Sequence, residues 1–365
     1  MEIQAAVSRS VGEPLKIEKV ELAEPGADEV LIKILATGVC HTDAESMNGR
    51  GAPFPAVLGH EGAGIIEKVG SGVKNLKSGD HVVLSYSYCG ECSQCLTGHQ
   101  NLCERTVELN FGGKSKDGEN HIRQHDHFLS TFFGQSSFAT YSIANKNNVV
   151  KVDDDVDLAI LGPLGCGIQT GSGTVMNSLR PEPGTSIAIY GGGAVGLSAV
   201  MAAKIMGLKH IIVVDLHQNR LDLAKELGAT HVLNGKEVDV VKEIRNITNG
   251  GVHYAVETTG ATPVIIQSIH ALRVSGTVAI VGMGGDVTLN FTNDILMEGK
   301  TVMGTVQGDS VPQLHIPKLI HYYKEGKFPF DKLIKFYDFE DINTAFEDSK
   351  SGETLKPIVR IGNKK

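Results

Sequence analysis

Apolar and polar positions alternate with period two over residues 15–22 (LKIEKVEL), and strand-like runs recur at 30–36 (VLIKILA), 81–85 (HVVLS) and 138–143 (FATYSI). Period two sends successive side chains to opposite faces of a sheet, so residues 1–150 are predicted to be β-rich. Glycine and proline punctuate the runs, and the polar stretch 104–131 is predicted to be a long surface loop. Near residue 184 the pattern changes. Short, largely apolar strands at 186–190, 210–215, 231–233, 253–257, 277–282 and 301–306 alternate with helical runs at 194–207, 218–228, 239–248 and 263–273. Strands without a polar face that alternate with amphipathic helices predict a parallel sheet covered on both sides, here a six-stranded doubly wound domain. After about residue 307 a helix candidate, PQLHIPKLIHYYKEGK, leads through DFEDINTAFEDSKSG to a last strand, KPIVRI. No second dinucleotide unit begins there, so this tail is expected to return to the first domain and leave the doubly wound domain as an insertion. The expected division is 1–167 with 308–365 against 168–307.

Composition adds limits. The chain has 365 residues, enough for two domains, and a formal net charge of -8, which disfavours nucleic acid as a partner. The absence of any run of 18 apolar residues argues against a membrane partner. The N-terminus MEIQAAVSRS lacks a basic segment followed by an apolar one, so a cytoplasmic location is expected.

The segment YGGGAVGLSAV places Gly191, Gly193 and Gly196 in GxGxxG spacing directly after a strand and at the start of a helix. Asp215 ends the next strand, 19 residues beyond Gly196. That context is what a dinucleotide site needs. The first glycine makes the turn, the second lets pyrophosphate approach the helix N-terminus, and the third allows helix and strand to pack closely. Asp215 can bind the adenosine ribose hydroxyls and would repel a 2′-phosphate, which favours NAD over NADP. Arg220 is placed to reach the same ribose or to remain a solvated helix charge.

Four of the six cysteines, Cys89, Cys92, Cys95 and Cys103, fall in CGECSQCLTGHQNLC. Four thiolates fill the tetrahedral shell of zinc, so this group reads as a structural zinc site; the alternatives are four free thiols or an iron–sulfur cluster, though the segment lacks the usual ferredoxin spacing and its following proline. Cys40 in ATGVCHTD, His60 in LGHEGAG and Cys166 in GPLGCGIQTG offer a Cys2His set whose fourth position stays open, as in a catalytic zinc site. Taken singly, each could be an ordinary core residue.

The order CHTD, GHEG, clustered cysteines, LGPLGCGIQTG, GGGAVG and VVD resembles the zinc-dependent medium-chain alcohol dehydrogenases over essentially the whole chain. FFGQSSFATY, LGPLGCGIQTG and GKFPFDKLIKFYDFEDIN resemble the aryl-alcohol (benzyl alcohol) branch. The resemblance implies a GroES-like catalytic domain carrying both zinc ions and a Rossmann domain binding NAD. The implied reaction is reversible oxidation of an aromatic primary alcohol to an aldehyde, in which zinc lowers the alcohol pKa and the alkoxide carbon gives hydride to nicotinamide C4. By the same resemblance, Cys40, His60 and Cys166 hold the catalytic zinc, with Glu61 behind it as an exchange ligand. Asp43 orients His60, and Thr42 takes the hydroxyl proton. His41 and Lys356 occupy the family's basic pyrophosphate positions, and Thr170 packs on the nicotinamide.

Many relatives end the proton relay with a histidine where this chain has Glu45, so Glu45 or solvent is expected to receive the proton. Ser85, Phe132 and Phe133 are candidate pocket walls, and ordinary core packing would explain the two phenylalanines equally well. His121, His125 and His127 are expected to be solvated. Competing readings are a polyol or glutathione-adduct formaldehyde dehydrogenase, or a nucleotide-binding protein without activity. A homo-oligomer, dimer or tetramer, is expected.

Overall fold

The computed structural model describes residues 1–362. They form two units: Met1–Gly167 with Val311–Lys318 and the segment from Asp331 onward, and Ile168–Ser310 with Leu319–Phe330. The expected return at residue 308 therefore needs correcting, because Leu319–Phe330 packs with the second unit. This segment carries Phe328 and Phe330, both fully buried.

In the first unit the strand Glu29–Gly38 is central. It pairs with Gly62–Val69 along one edge, and with Tyr141–Asn145 and then Lys356–Arg360 along the other. His81–Leu84, Val149–Val152 and Ile334–Asp338 complete this sheet. A second sheet runs in the order Ala56–Val57, Glu2–Ser8, Lys16–Leu22, Ile122–Gln124, His127–Leu129. The alternation in the central strand has a direct consequence. Val30, Ile32 and Ile34 enter one core with Ile66, Leu84 and Phe138. Leu31 enters another with Ile3, Val20 and Leu22. Each such side chain, once fully buried, contributes about 1.5–3 kcal/mol, which fixes the register, since a one-residue slip would exchange the faces.

The stretch 104–131, expected to be one loop, contains a helical segment, Thr106–Phe111, and the two strands of the hairpin. Its short elements pair through their backbone and bury only Leu109, Ile122 and Leu129 among their large aliphatic residues, too few to give a periodic signal. His121 is not solvated: its Nε2 lies 2.8 Å from the buried Glu29 carboxylate. His125 and His127 are exposed.

The second unit holds a six-stranded parallel sheet in the order His231–Asn234, His210–Asp215, Ser186–Tyr190, Val252–Glu257, Leu272–Ile280, Thr301–Gly304. The order reverses beside Ser186–Tyr190, where a doubly wound sheet opens a crevice at its strand ends. The intervening helices obey their end signals. Asp239 caps Val240–Thr248 by accepting from Lys242 N, and Gly228, with φ +127°, follows Gln218–Leu227. The helix expected over 263–273 stops at His270, and the next strand begins at Leu272, earlier than expected.

Candidate functional site

The first cluster is assembled at the ends of three neighbouring strands. Thr37 pairs with Gly62 and Gly38 with Ile358, so the chain leaving Gly38 meets the chain entering Gly62 and the start of the C-terminal strand. This arrangement brings together Cys40, the dipeptide His60–Glu61 and Lys356. Cys166 arrives on the turn Gly162–Gly165, which lies flat against the sheet because its glycines have no side chains. A Cβ on Gly162 would come 2.2 Å from Glu61 O, and one on Gly165 would come 1.9 Å from Leu84 O. Ligand atoms of Cys40, His60, Glu61 and Cys166 all lie within 4.8 Å of one another.

The imidazole is fixed from three sides. His60 Nδ1 lies 2.9 Å from Asp43 Oδ1, an oxygen that also accepts from Gly59 N. Asp43 Oδ2 accepts from Cys40 N. Phe133 stacks on the ring at 4.5 Å, and Phe132 meets it edge-on at 5.5 Å. A carboxylate only accepts, so Nδ1 carries a proton and Nε2 is the atom free to bind a metal. Nε2 is buried and has no hydrogen-bond partner. Burial opposes a charge on this ring, yet Asp43 and the Cys40 charge push its pKa well up. The site therefore favours positive charge at Nε2, which a metal ion would supply. The Cys40 thiol is pulled well below its usual range, chiefly by the Cys166 S–H, and Cys166 is pushed well up by Cys40 and by burial. Burial pushes the Glu61 carboxyl up to about 7, with Cys40 adding to the shift and Lys356 opposing it. Two soft thiolates and one imidazole suit zinc, and three protein ligands leave a position for another group.

Thr42 Oγ1 lies 3.9 Å from Cys40 Sγ, on the helix His41–Met47. His41 is exposed, with Nε2 3.7 Å from Glu45, whose carboxylate is paired with Arg50 at 2.8 Å. Three of the predicted site residues are buried beside the cluster. Ser85 and Phe132 are fully buried. Ser85 Oγ donates to Gly165 O, next to Cys166, and Phe132 supports the His60 ring, so both serve the ligands. Lys356 is buried and directs its ammonium at Glu61. The sequence reading missed Gln135 altogether. Its amide nitrogen donates to His60 O and Ser85 O, and its oxygen accepts from Gly62 N, which braces the ligand segment. The motif FFGQSSFATY contained it, but nothing in its spacing revealed the partners.

The second group is the four-cysteine lobe, whose sulfurs also lie within 4.8 Å of one another. Backbone N–H groups of Cys92 and Glu91 donate to Cys89 Sγ, and Cys89 N donates to Cys103 Sγ. These bonds are the usual support for thiolates around a tetrahedral ion. Backbone donors, led by that of Glu104, bring Cys92 down to about 6, whereas burial raises Cys95 to about 12. A metal-free lobe would thus keep protons that an ion displaces.

In the second unit the glycine loop follows Ser186–Tyr190. Gly191 has φ +98°, and a Cβ there would meet Thr258 Oγ1 at 2.4 Å. A Cβ on Gly196 would come 1.8 Å from Gly191 O, which is the close helix–strand approach. Gly193 has nothing within 4 Å of such an atom and stands at the N-cap of Ala194–Ile205, so the helix N-terminus faces open space that fits a phosphate. Asp215 Oδ2 accepts from Gly192 N at 2.6 Å, and Arg220 Nη1 is 3.7 Å from the same oxygen. Arg220 is thus a loop partner and no solvated charge. Thr170 is buried within the helix Gly167–Gly173.

Comparison with known proteins agrees with this geometry. The family described as alcohol dehydrogenase GroES-like domain matches residues 26–154, and the zinc-binding dehydrogenase family matches residues 194–324. Geraniol dehydrogenase of Castellaniella defragrans is 45% identical, covering 98% of this chain and 97% of its own. The crystal structure of benzyl alcohol dehydrogenase from Acinetobacter calcoaceticus is 47% identical with TM-score 0.96, covering 99% of this chain and 100% of its own. An alcohol dehydrogenase zinc-binding domain protein from Burkholderia ambifaria is 51% identical with TM-score 0.97, covering 100% of both chains.

Proposed function

The chain belongs to the zinc-binding medium-chain alcohol dehydrogenases, and from that premise we propose that it oxidises aromatic primary alcohols of the benzyl type to aldehydes, reversibly, with NAD. The observation that carries the reading is the buried, unpartnered His60 Nε2 facing Cys40 and Cys166. Zinc bound there would polarise the alcohol oxygen, and the nicotinamide would take the hydride. The chain's own residues do the rest. Asp43 and Gln135 hold the His60 segment, and the aromatic rings keep water from the imidazole. Thr42 takes up the hydroxyl proton, and Gly193 admits the pyrophosphate. Two zinc ions per subunit follow from the two clusters, the cysteine lobe being structural.

The names geraniol dehydrogenase and benzyl alcohol dehydrogenase favour a wider second reading. Both alcohols carry their hydroxyl on a carbon attached to an sp2 carbon, so allylic alcohols are the alternative class. We also propose a cytoplasmic location, which suits zinc-binding thiols, and a homo-oligomer. No helix among the described residues is long and apolar enough to cross a membrane.

The test is NAD(P)H formation from benzyl alcohol, geraniol, ethanol, sorbitol and the glutathione–formaldehyde adduct, with NAD and NADP in parallel. Benzyl alcohol should exceed ethanol in kcat/KM by at least about tenfold, or about 1.4 kcal/mol. Ethanol equal to or better than benzyl alcohol would sink the aromatic assignment. Cys40→Ser should keep the fold, hold one zinc in place of two and lose turnover; full activity would end the catalytic assignment of the cluster.

A further inference from the structure

Lys356 opens the strand Lys356–Arg360, whose pairing with the end of Glu29–Gly38 carries it beneath the Cys40 cluster. It is only 3% exposed. Its Nζ lies 2.9 Å from Glu61 Oε1, 3.0 Å from Glu61 Oε2 and 3.3 Å from Val39 O. An ammonium has three hydrogens, and its acceptors here are both oxygens of the Glu61 carboxylate and a backbone carbonyl.

Glu61 is equally constrained. It is fully buried, its Oε1 also accepts from Gly167 N, and a Cβ on Gly38 would come 2.0 Å from its Oε2. It nevertheless offers an oxygen within 4.8 Å of the ligand atoms of Cys40, His60 and Cys166. Carboxylates are good zinc ligands, and a fourth protein ligand would make the shell a closed, structural one. A buried carboxylate settles on the strongest counter-charge within reach. Here the choice lies between the ammonium and the ion.

We propose that Lys356 is a positioning residue of the metal centre: its ammonium holds the Glu61 carboxylate back from an ion bound by Cys40, His60 and Cys166, and so keeps the fourth position open for substrate. The inference rests on the zinc reading of that cluster. It moves Lys356 from the cofactor phosphates to the metal's surroundings.

Cobalt(II) exchanged into the Cys40 site reports coordination through its visible absorption, and imidazole serves as an external ligand. Wild type and Lys356→Arg should give the same cobalt bands and bind imidazole alike. Lys356→Met should show shifted bands before any imidazole is added, at least tenfold weaker imidazole binding, and NADH affinity within twofold of wild type. Adding Glu61→Gln to Lys356→Met should restore both the bands and the imidazole affinity, because an amide is a poor zinc ligand. Lys356→Gln, which keeps a neutral donor for Glu61, should reproduce the shift if the methionine variant does not fold. Unshifted cobalt bands together with weakened NADH binding would overturn the inference and return the lysine to the phosphates, as would a double variant that stays shifted. If Cys40→Ser took up as much cobalt as wild type, the metal reading itself would fall.

Discussion

Glycines 193 and 196 belong to one motif for opposite reasons. The first borders open space, and the second is pressed against Gly191 O. Spacing together with its context, directly after a strand and at the start of a helix, made both legible, because the fingerprint is a local backbone geometry. The ligands Cys40, His60 and Cys166 were legible as residue types. Lys356 was not, because a sequence shows a charge but not which way it points. Asp215 was legible as the acid at the end of the second strand, but its bond to Gly192 N and its approach to Arg220 were not. Those contacts yield a prediction. On the proposed NAD reading, replacing Asp215 with Ser would remove the carboxylate expected to bind the ribose and to repel a 2′-phosphate, and it would free Arg220, whose Nε has no partner. A charged hydrogen bond is worth about 1.5–3 kcal/mol, so the NAD-to-NADP ratio of kcat/KM should fall roughly ten- to hundredfold. Steady-state kinetics with both cofactors checks this, and an unchanged ratio would remove Asp215 from cofactor choice.

At the level of elements, the inner parallel strands of the second unit, Ser186–Tyr190 and His210–Asp215, were readable because burial on both faces leaves their interiors apolar. The hairpin Ile122–Gln124 and His127–Leu129 was not, because it is held by backbone pairing and by polar contacts, Arg123 with Glu21 and Gln124 with Glu18. Beside it His121 pairs with the buried Glu29. Burial would raise the Glu29 pKa, but the His121 contact and the Gly26 N–H more than offset it, so the carboxyl sits below its ordinary value. A folded-state pKa below the unfolded one stabilises the fold above the unfolded value, about 4.3 for Glu, and the gain is lost as pH falls through the native pKa. His121→Ala leaves the carboxylate buried without this partner and should cost about 1–3 kcal/mol near neutral pH. Urea unfolding at pH 6 and at pH 3 measures it: the gap between variant and wild type should be wide at pH 6 and narrow at pH 3. A gap independent of pH would mean that the histidine contributes packing alone.

For the molecule as a whole, the alternation of segment types foretold two units, and contacts set their borders. Leu319–Phe330 joins the second unit and carries two fully buried phenylalanines, Phe328 and Phe330, facts that pattern alone does not carry. The same unit offers a candidate edge for the proposed homo-oligomer. Thr301–Gly304 is the last strand of the parallel sheet, with one side of its backbone unpaired within the sheet. Val302 on that strand is 42% exposed, and Phe291 and Met297 nearby in sequence are 67% and 73% exposed. An edge strand flanked by apolar side chains is a template for pairing with another chain, and a lysine there is the usual way proteins block such an edge. Val302→Lys should therefore shift the sedimentation coefficient from that of an oligomer to that of a smaller species, while the far-ultraviolet circular dichroism stays unchanged. The variant should bind as much zinc as wild type, because Val302 belongs to neither cysteine cluster. A wild-type chain that sediments as a monomer of 38.9 kDa, or a Val302→Lys chain that sediments as wild type does, would move the contact away from this edge.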